Sequence, residues 1–161
     1  MKKGKKKENN EEKNSESSNA ASSDEKTAKP PESVLAERIT KAVKGLNYIS
    51  ETDAKVLPFI GKQTETATKE ELLTQINEPA DSEVEERDFV GFFAPLTEMQ
   101  DWFGDEEKQT AEKFEYLKEL LENNLRDLNV YKIGKVQLDV YVVGLDAENQ
   151  MLGIKTKAVE T

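Results

Sequence analysis

The stretch from Val136 to Thr161, VQLDVYVVGLDAENQMLGIKTKAVET, decides the fold. Val136, Leu138, Val140 and Val142 alternate with Gln137, Asp139, Tyr141 and Val143, the period of two that sends successive side chains to opposite faces of a strand. Gly144 to Asn149 is rich in turn formers. On the return, Leu152, Ile154, Thr156 and Ala158 alternate with Gly153, Lys155, Lys157 and Val159. The pattern predicts an antiparallel hairpin, with residues 129 to 134 as a third strand beside it. If the last strand runs to Val159, Thr161 lies just beyond a rigid element, where its carboxylate can be aimed at a partner.

Upstream of the hairpin the period changes to that of a helix. From about Asp105 to Asn124, Phe114, Leu117, Leu121 and Leu125 form one stripe, while Glu112, Lys113, Glu115, Lys118, Glu119 and Glu122 face away. Asp105, Glu106 and Glu107 fall in the first turn, where the helix dipole favours negative charge. As metal ligands they would need further convergent oxygens. Ser33 is a plausible N-cap for an earlier helix with Leu35, Ile39, Ala42, Val43 and Leu46 on one face.

Between these helices the signals are weaker. Ile49 to Asp53 reads as a polar break, and Val56 to Ile60, interrupted by Pro58, as a weak or edge strand. Thr68-Lys69-Glu70-Glu71 has the capping-box pattern and predicts a short helix over 68–77. Asn77 to Ser82 reads as a loop, residues 83 to 90 as strand or turn, and Asp88 to Phe93 as a short helical or irregular piece whose aromatics enter the core. A sheet with helices available to cover it makes the fold class α+β.

Composition narrows the chemistry. The chain has no histidine and no cysteine, which removes the usual neutral-pH general base, the thiolate nucleophile, the common zinc ligands and the disulfide. No pair of carboxylates stands out for acid/base work, so an enzyme is not expected. The absence of thiols leaves the redox compartment open. The lysine-rich start MKKGKKK is followed by ENNEEKN rather than an apolar run, so neither a signal peptide nor a membrane span is expected and the default location is cytoplasmic.

The chain divides near residue 32. Residues 1 to 32 hold eight lysines and seven acids and almost no large apolar side chains, a composition that predicts a disordered lysine-rich tail, solubilising or in contact with an anionic surface. Of 23 basic and 33 acidic residues in the whole chain, 15 and 26 remain on residues 33 to 161, a net charge of −11. Direct nucleic-acid binding by such a domain is not expected, because it needs a basic footprint that releases phosphate counterions. An acidic domain suits a basic partner, although acidity also serves solubility.

Two further segments carry a family resemblance. Gln100 to Glu107, QDWFGDEE, and Gly45 to Glu51, GLNYISE, together with the Glu160-Thr161 ending, closely resemble the nuclease A inhibitor family. The likeness runs from about Ser33 and is densest from Phe89 to Thr161. Little similarity shows from Asp53 to Glu86, and Gly104 stands where the family pattern has a larger, acidic residue. The resemblance implies an α-β-α sandwich with a mainly antiparallel sheet, like pathogenesis-related-protein domains. It implies a one-to-one inhibitor of a sugar-nonspecific, magnesium-dependent DNA/RNA endonuclease, protecting the cell that makes the nuclease.

Residue by residue, the resemblance places Glu51 against arginines of the nuclease active site and Asp101 and Trp102 at the interface. It places Thr161 on the catalytic magnesium, which the nuclease supplies; the chain needs no cofactor of its own. Judged without the resemblance, each has a plainer reading. Glu51 is an exposed turn carboxylate, Trp102 a half-buried packing residue, Asp101 a helix cap and Thr161 a frayed end. The alternative function is an acidic interaction domain that binds a different basic protein.

Overall fold

The computed structural model describes residues 33–161; the lysine-rich tail expected over 1–32 lies outside the described residues. In chain order the elements are α1 (Val34–Ala42), β1 (Asn47–Ile49), β2 (Asp53–Lys55), β3 (Leu57–Gln63), α2 (Lys69–Gln75) and β4 (Val84–Arg87). They continue with α3 (Phe89–Thr97), α4 (Asp105–Asn124), β5 (Arg126–Gly134), β6 (Gln137–Leu145) and β7 (Gln150–Val159).

The hairpin forms as expected. β6 and β7 pair antiparallel from Gln137 opposite Val159 to Leu145 opposite Met151. β5 pairs with β6 on the other side, so the expected third strand is present but begins earlier, at Arg126. The sheet order is β3-β7-β6-β5-β4, every pair antiparallel. β3 and β4 are the edges, which fits Pro58 in β3, since proline cannot donate to a central ladder.

Two sequence expectations about the hairpin are corrected. Gly144 is not a turn residue but part of β6, where a Cβ would come 2.8 Å from the Arg126 carbonyl oxygen; its smallness serves close packing. The turn is Asp146 to Asn149, closed by Asp146 Oδ1, which accepts from the N–H groups of Glu148 and Gln150 at 2.8 and 2.9 Å. The face of β6 that carries Leu138, Val140 and Val142 is apolar, and the opposite face is apolar in part. Leu138, Val140 and Val142 join one buried cluster, while Val143 and Leu145 join another on the opposite face. Val136, read as the start of the apolar alternation, is 49% exposed and precedes the strand.

Those two clusters define the layers. On one face Ile39, Val43 and Leu46, Phe89 and Phe93 of α3, and Phe114, Leu117 and Leu121 of α4 pack with Leu138, Val140, Leu152 and Ile154. On the other, Leu72 and Leu73 of α2 pack with Phe59, Tyr131, Val143 and Met151. Helices on both faces of an antiparallel sheet make the α-β-α sandwich of an α+β fold.

Local chemistry accounts for the helix ends. Thr68 caps α2 by accepting from Glu71 N–H, as the capping-box pattern predicts. Asp88 caps α3, its Oδ2 accepting from Gly91 N–H at 2.7 Å. Pro95 sits inside α3, where it withholds one backbone donor, and the helix ends two residues later at Thr97. α4 runs over the expected Asp105–Asn124 and turns at Leu125 directly into β5.

The polar break at Ile49 to Asp53 is the main surprise. β1 and β2 form a two-stranded ribbon, with Asn47 opposite Lys55 and Ile49 opposite Asp53, closed by the turn Ser50-Glu51-Thr52. Tyr48 holds the ribbon against α3 by stacking on Phe92, the rings 5.4 Å apart and 13° from parallel. Thr156 Oγ1 of β7 donates to the Lys55 carbonyl at 2.9 Å.

Candidate functional site

The ribbon turn and the end of β7 meet. Ser50 Oγ accepts from the Val159 N–H at 2.9 Å, and Glu51 N–H donates to the Val159 carbonyl at 3.4 Å. Glu51 Oε2 accepts from both the N–H and the hydroxyl of Thr161, at 3.0 and 2.8 Å. Between them, Glu160 N–H donates to the Val136 carbonyl at 2.9 Å, and Glu160 Oε2 lies 2.6 Å from Lys132 Nζ. Val159 and Thr161 are therefore fastened to the β1–β2 turn, and Glu160 to Val136 and Lys132. The end is not frayed, because backbone and side-chain bonds to Ser50, Glu51, Val136 and Lys132 hold it.

Glu51 remains an exposed turn carboxylate, as its sequence context suggests, but it is not idle. A carboxylate has about four acceptor positions, so two bonds on Oε2 leave Oε1 open to a partner's donor. Among the described residues none bonds to Oε1.

Trp102 and Asp101 lie in the loop between α3 and α4, in a turn closed by Phe103 N–H donating to the Gln100 carbonyl at 3.1 Å. Trp102 is 73% exposed, so the half-buried packing role is not what the fold gives it. Its ring meets Phe103 edge-on, with centroids 4.7 Å apart. Asp101 does not cap α4. The N-cap is Gly104, whose N–H is taken by Glu107 Oε1 at 2.9 Å, so the helix start is satisfied by its own third residue.

The Trp102 loop is joined to the ribbon by a cleft of about 500 Å³, lined by Trp102, Phe103, Pro95, Leu96, Asn47 and Ile49 among others. Ile49, two residues before Glu51, is 68% exposed. An exposed isoleucine and an exposed tryptophan on one cleft form the kind of apolar patch that marks contact surfaces. The structure thus brings Glu51 and Thr161 into direct contact, and it sets Trp102 across a shared cleft from the strand leading to Glu51. Asp101 joins them only as the neighbour of Trp102; among the described residues none bonds to it.

Sequence reasoning assigns no role to Ile49, Ser50, Lys132 or Glu160. Ile49 falls at the start of a stretch that reads as a polar break. Ser50 gave no signal beyond its turn context. The pairing of Lys132 with Glu160 spans 28 residues and is set by strand register alone.

No group of three or more acidic side chains that could hold a metal ion occurs among the described residues. No helix among them is long and apolar enough to cross a membrane.

A family model described as Nuclease A inhibitor-like protein matches residues 33–161, the whole of the described chain. A search of curated proteins finds no match. With four fifths of its length under that family model, this chain belongs to the nuclease A inhibitor-like family, a family of nuclease inhibitors.

Proposed function

We propose that this protein inhibits a sugar-nonspecific, magnesium-dependent DNA/RNA endonuclease by occupying its active site in a one-to-one complex. In the cytoplasm this protects the cell before the nuclease is exported. The observation that carries the reading is the junction of Glu51 with Thr161, two anionic or oxygen-bearing groups held side by side at the edge of an acidic domain.

A nuclease that cleaves phosphodiesters binds anionic oxygens with arginines and a hard divalent cation. Glu51 mimics the phosphate charge toward arginine with its open Oε1. The Thr161 hydroxyl gives its hydrogen to Glu51, which leaves its oxygen lone pairs for the nuclease's magnesium. No scissile phosphodiester is present, so the site is filled without turnover. Trp102 adds the large aromatic anchor on which interfaces concentrate their energy, with Asp101 as a charged neighbour. The net charge of the domain speeds encounter with a basic substrate groove.

The test is titration of a purified magnesium-dependent nonspecific nuclease with the intact protein, with Thr161→Val and with a form lacking Thr161. Stoichiometric inhibition by the intact protein, lost when Thr161 is removed, is the expected result. No inhibition by the intact protein rejects this function in favour of an acidic interaction domain with a different basic partner.

A further inference from the structure

We infer that Lys132 is a positioning residue for the inhibitory end of the chain, acting through Glu160 on Thr161; this rests on the function proposed above. Lys132 lies on β5, opposite Val140 of β6, and its side chain is only 9% exposed. A lysine is seldom this enclosed without a partner. Its ammonium lies 2.6 Å from Glu160 Oε2, and among the described residues Glu160 is the only carboxylate paired with it.

The position of this pair gives it leverage. β7 ends at Val159, so Glu160 is the first residue past the sheet and Thr161 the next. Without the ion pair, Glu160 is held only by its N–H bond to Val136, and Thr161 only by the exposed carboxylate of Glu51. When the nuclease's arginines compete for Glu51, that second tether weakens as the complex forms. The Lys132–Glu160 pair involves neither Glu51 nor Thr161, so it can keep the end in place at the moment Glu51 changes partners. Holding a ligand group in its bound position beforehand removes an ordering cost from binding.

Lys132→Met tests this, because methionine keeps most of the buried stem and removes only the charge. Glu160, whose side chain is 39% exposed, can then turn to water, so the fold is not left with a buried unpaired carboxylate. Ordering a released residue opposes binding, so inhibition of the nuclease is expected to weaken about tenfold. In a Thr161-lacking background, where residual binding to the nuclease is read by calorimetry rather than by inhibition, the same substitution should change affinity by less than about twofold, since the group it positions is gone. An equal loss in both backgrounds, or no loss in either, overturns the inference.

A readout independent of the nuclease is the backbone ¹⁵N heteronuclear NOE of Glu160 and Thr161. Both should fall in Lys132→Met, with the NOE of β7 unchanged, and Lys132→Arg should restore much of the order. Unchanged values at both residues overturn the positioning role. If the intact protein fails to inhibit at all, the proposed function fails, while this NOE comparison still decides for or against the clamp.

Discussion

Glu51 and Thr161, 110 residues apart in the chain, share two hydrogen bonds to one carboxylate oxygen. The contact exists because the β1–β2 turn overhangs the end of β7, where Ser50 Oγ takes the Val159 N–H. It joins an acidic side chain to a hydroxyl at one exposed spot.

Replacing Glu51 by alanine is expected to cost about 2–5 kcal/mol of nuclease binding, the range for truncating one partner of a desolvated charge pair. The fold should scarcely respond, because Glu51 is exposed. Inhibition titrations alongside thermal melts check this; a binding loss within roughly 0.5 kcal/mol would remove Glu51 from the interface.

Trp102→Ala should leave stability within about 0.5 kcal/mol of the parent, as expected for an exposed surface position, while weakening inhibition by about 2 kcal/mol or more if Trp102 is a hot spot. Ile49→Ser, across the same cleft, should show the same separation on a smaller scale. Since Trp102 is the only tryptophan in the chain, its fluorescence offers a direct probe of burial on binding. An emission maximum that does not move when an excess of a tryptophan-free nuclease variant is added counts against it.

Gly153→Ala should fail to fold stably. A Cβ there would collide with the Val142 carbonyl, backbone against backbone in the centre of the β6–β7 pair, where nothing flexible can yield. Gly91→Ala serves as the control on space alone: its Cβ would meet nothing closer than 3.4 Å. Circular dichroism melts of the two variants make the comparison.

Stability should decline at alkaline pH. Burial raises the Tyr131 phenol above its ordinary 10.0, and the hydroxyl donates to the Ala67 carbonyl at 2.9 Å. Burial likewise raises Tyr141, and the hydrogen bond to Asp139 raises Lys157 above 10.5. All three groups are better held protonated in the fold than in the unfolded chain. Their contribution is therefore complete below about pH 10 and is lost as pH rises through the raised values. Tyr131→Phe should be less stable than the parent near neutral pH by about 1–3 kcal/mol, because the Ala67 carbonyl loses its donor. Its stability should also fall less steeply above pH 10 in urea titrations; equal slopes would contradict the assignment.

How much of this could be read along the chain depended on the range of the interaction. The α4 stripe, the Thr68 cap and the β6–β7 alternation were legible because each is a pattern over a few consecutive residues. The ribbon at Asn47–Lys55 was not, since its strands have three residues each and are held by Tyr48 on Phe92 and Thr156 on Lys55, partners far away in sequence. Gly144 looked like a turn former for the same reason. Its role comes from the Arg126 backbone packed against it, which no local window contains.

By itself the sequence determined the α+β class, the main helix, the central hairpin and an acidic domain poor in catalytic side chains. It also held the segments whose likeness singled out Glu51, Asp101, Trp102 and Thr161. Only the tertiary structure decided that Glu51 and Thr161 touch, that Lys132 and Ser50 fasten the strand end between them, and that Trp102 stands exposed beside Ile49. Helix and strand periodicity follow from the geometry of neighbouring residues, whereas those contacts depend on strand register and layer packing, which exist only once the chain has folded.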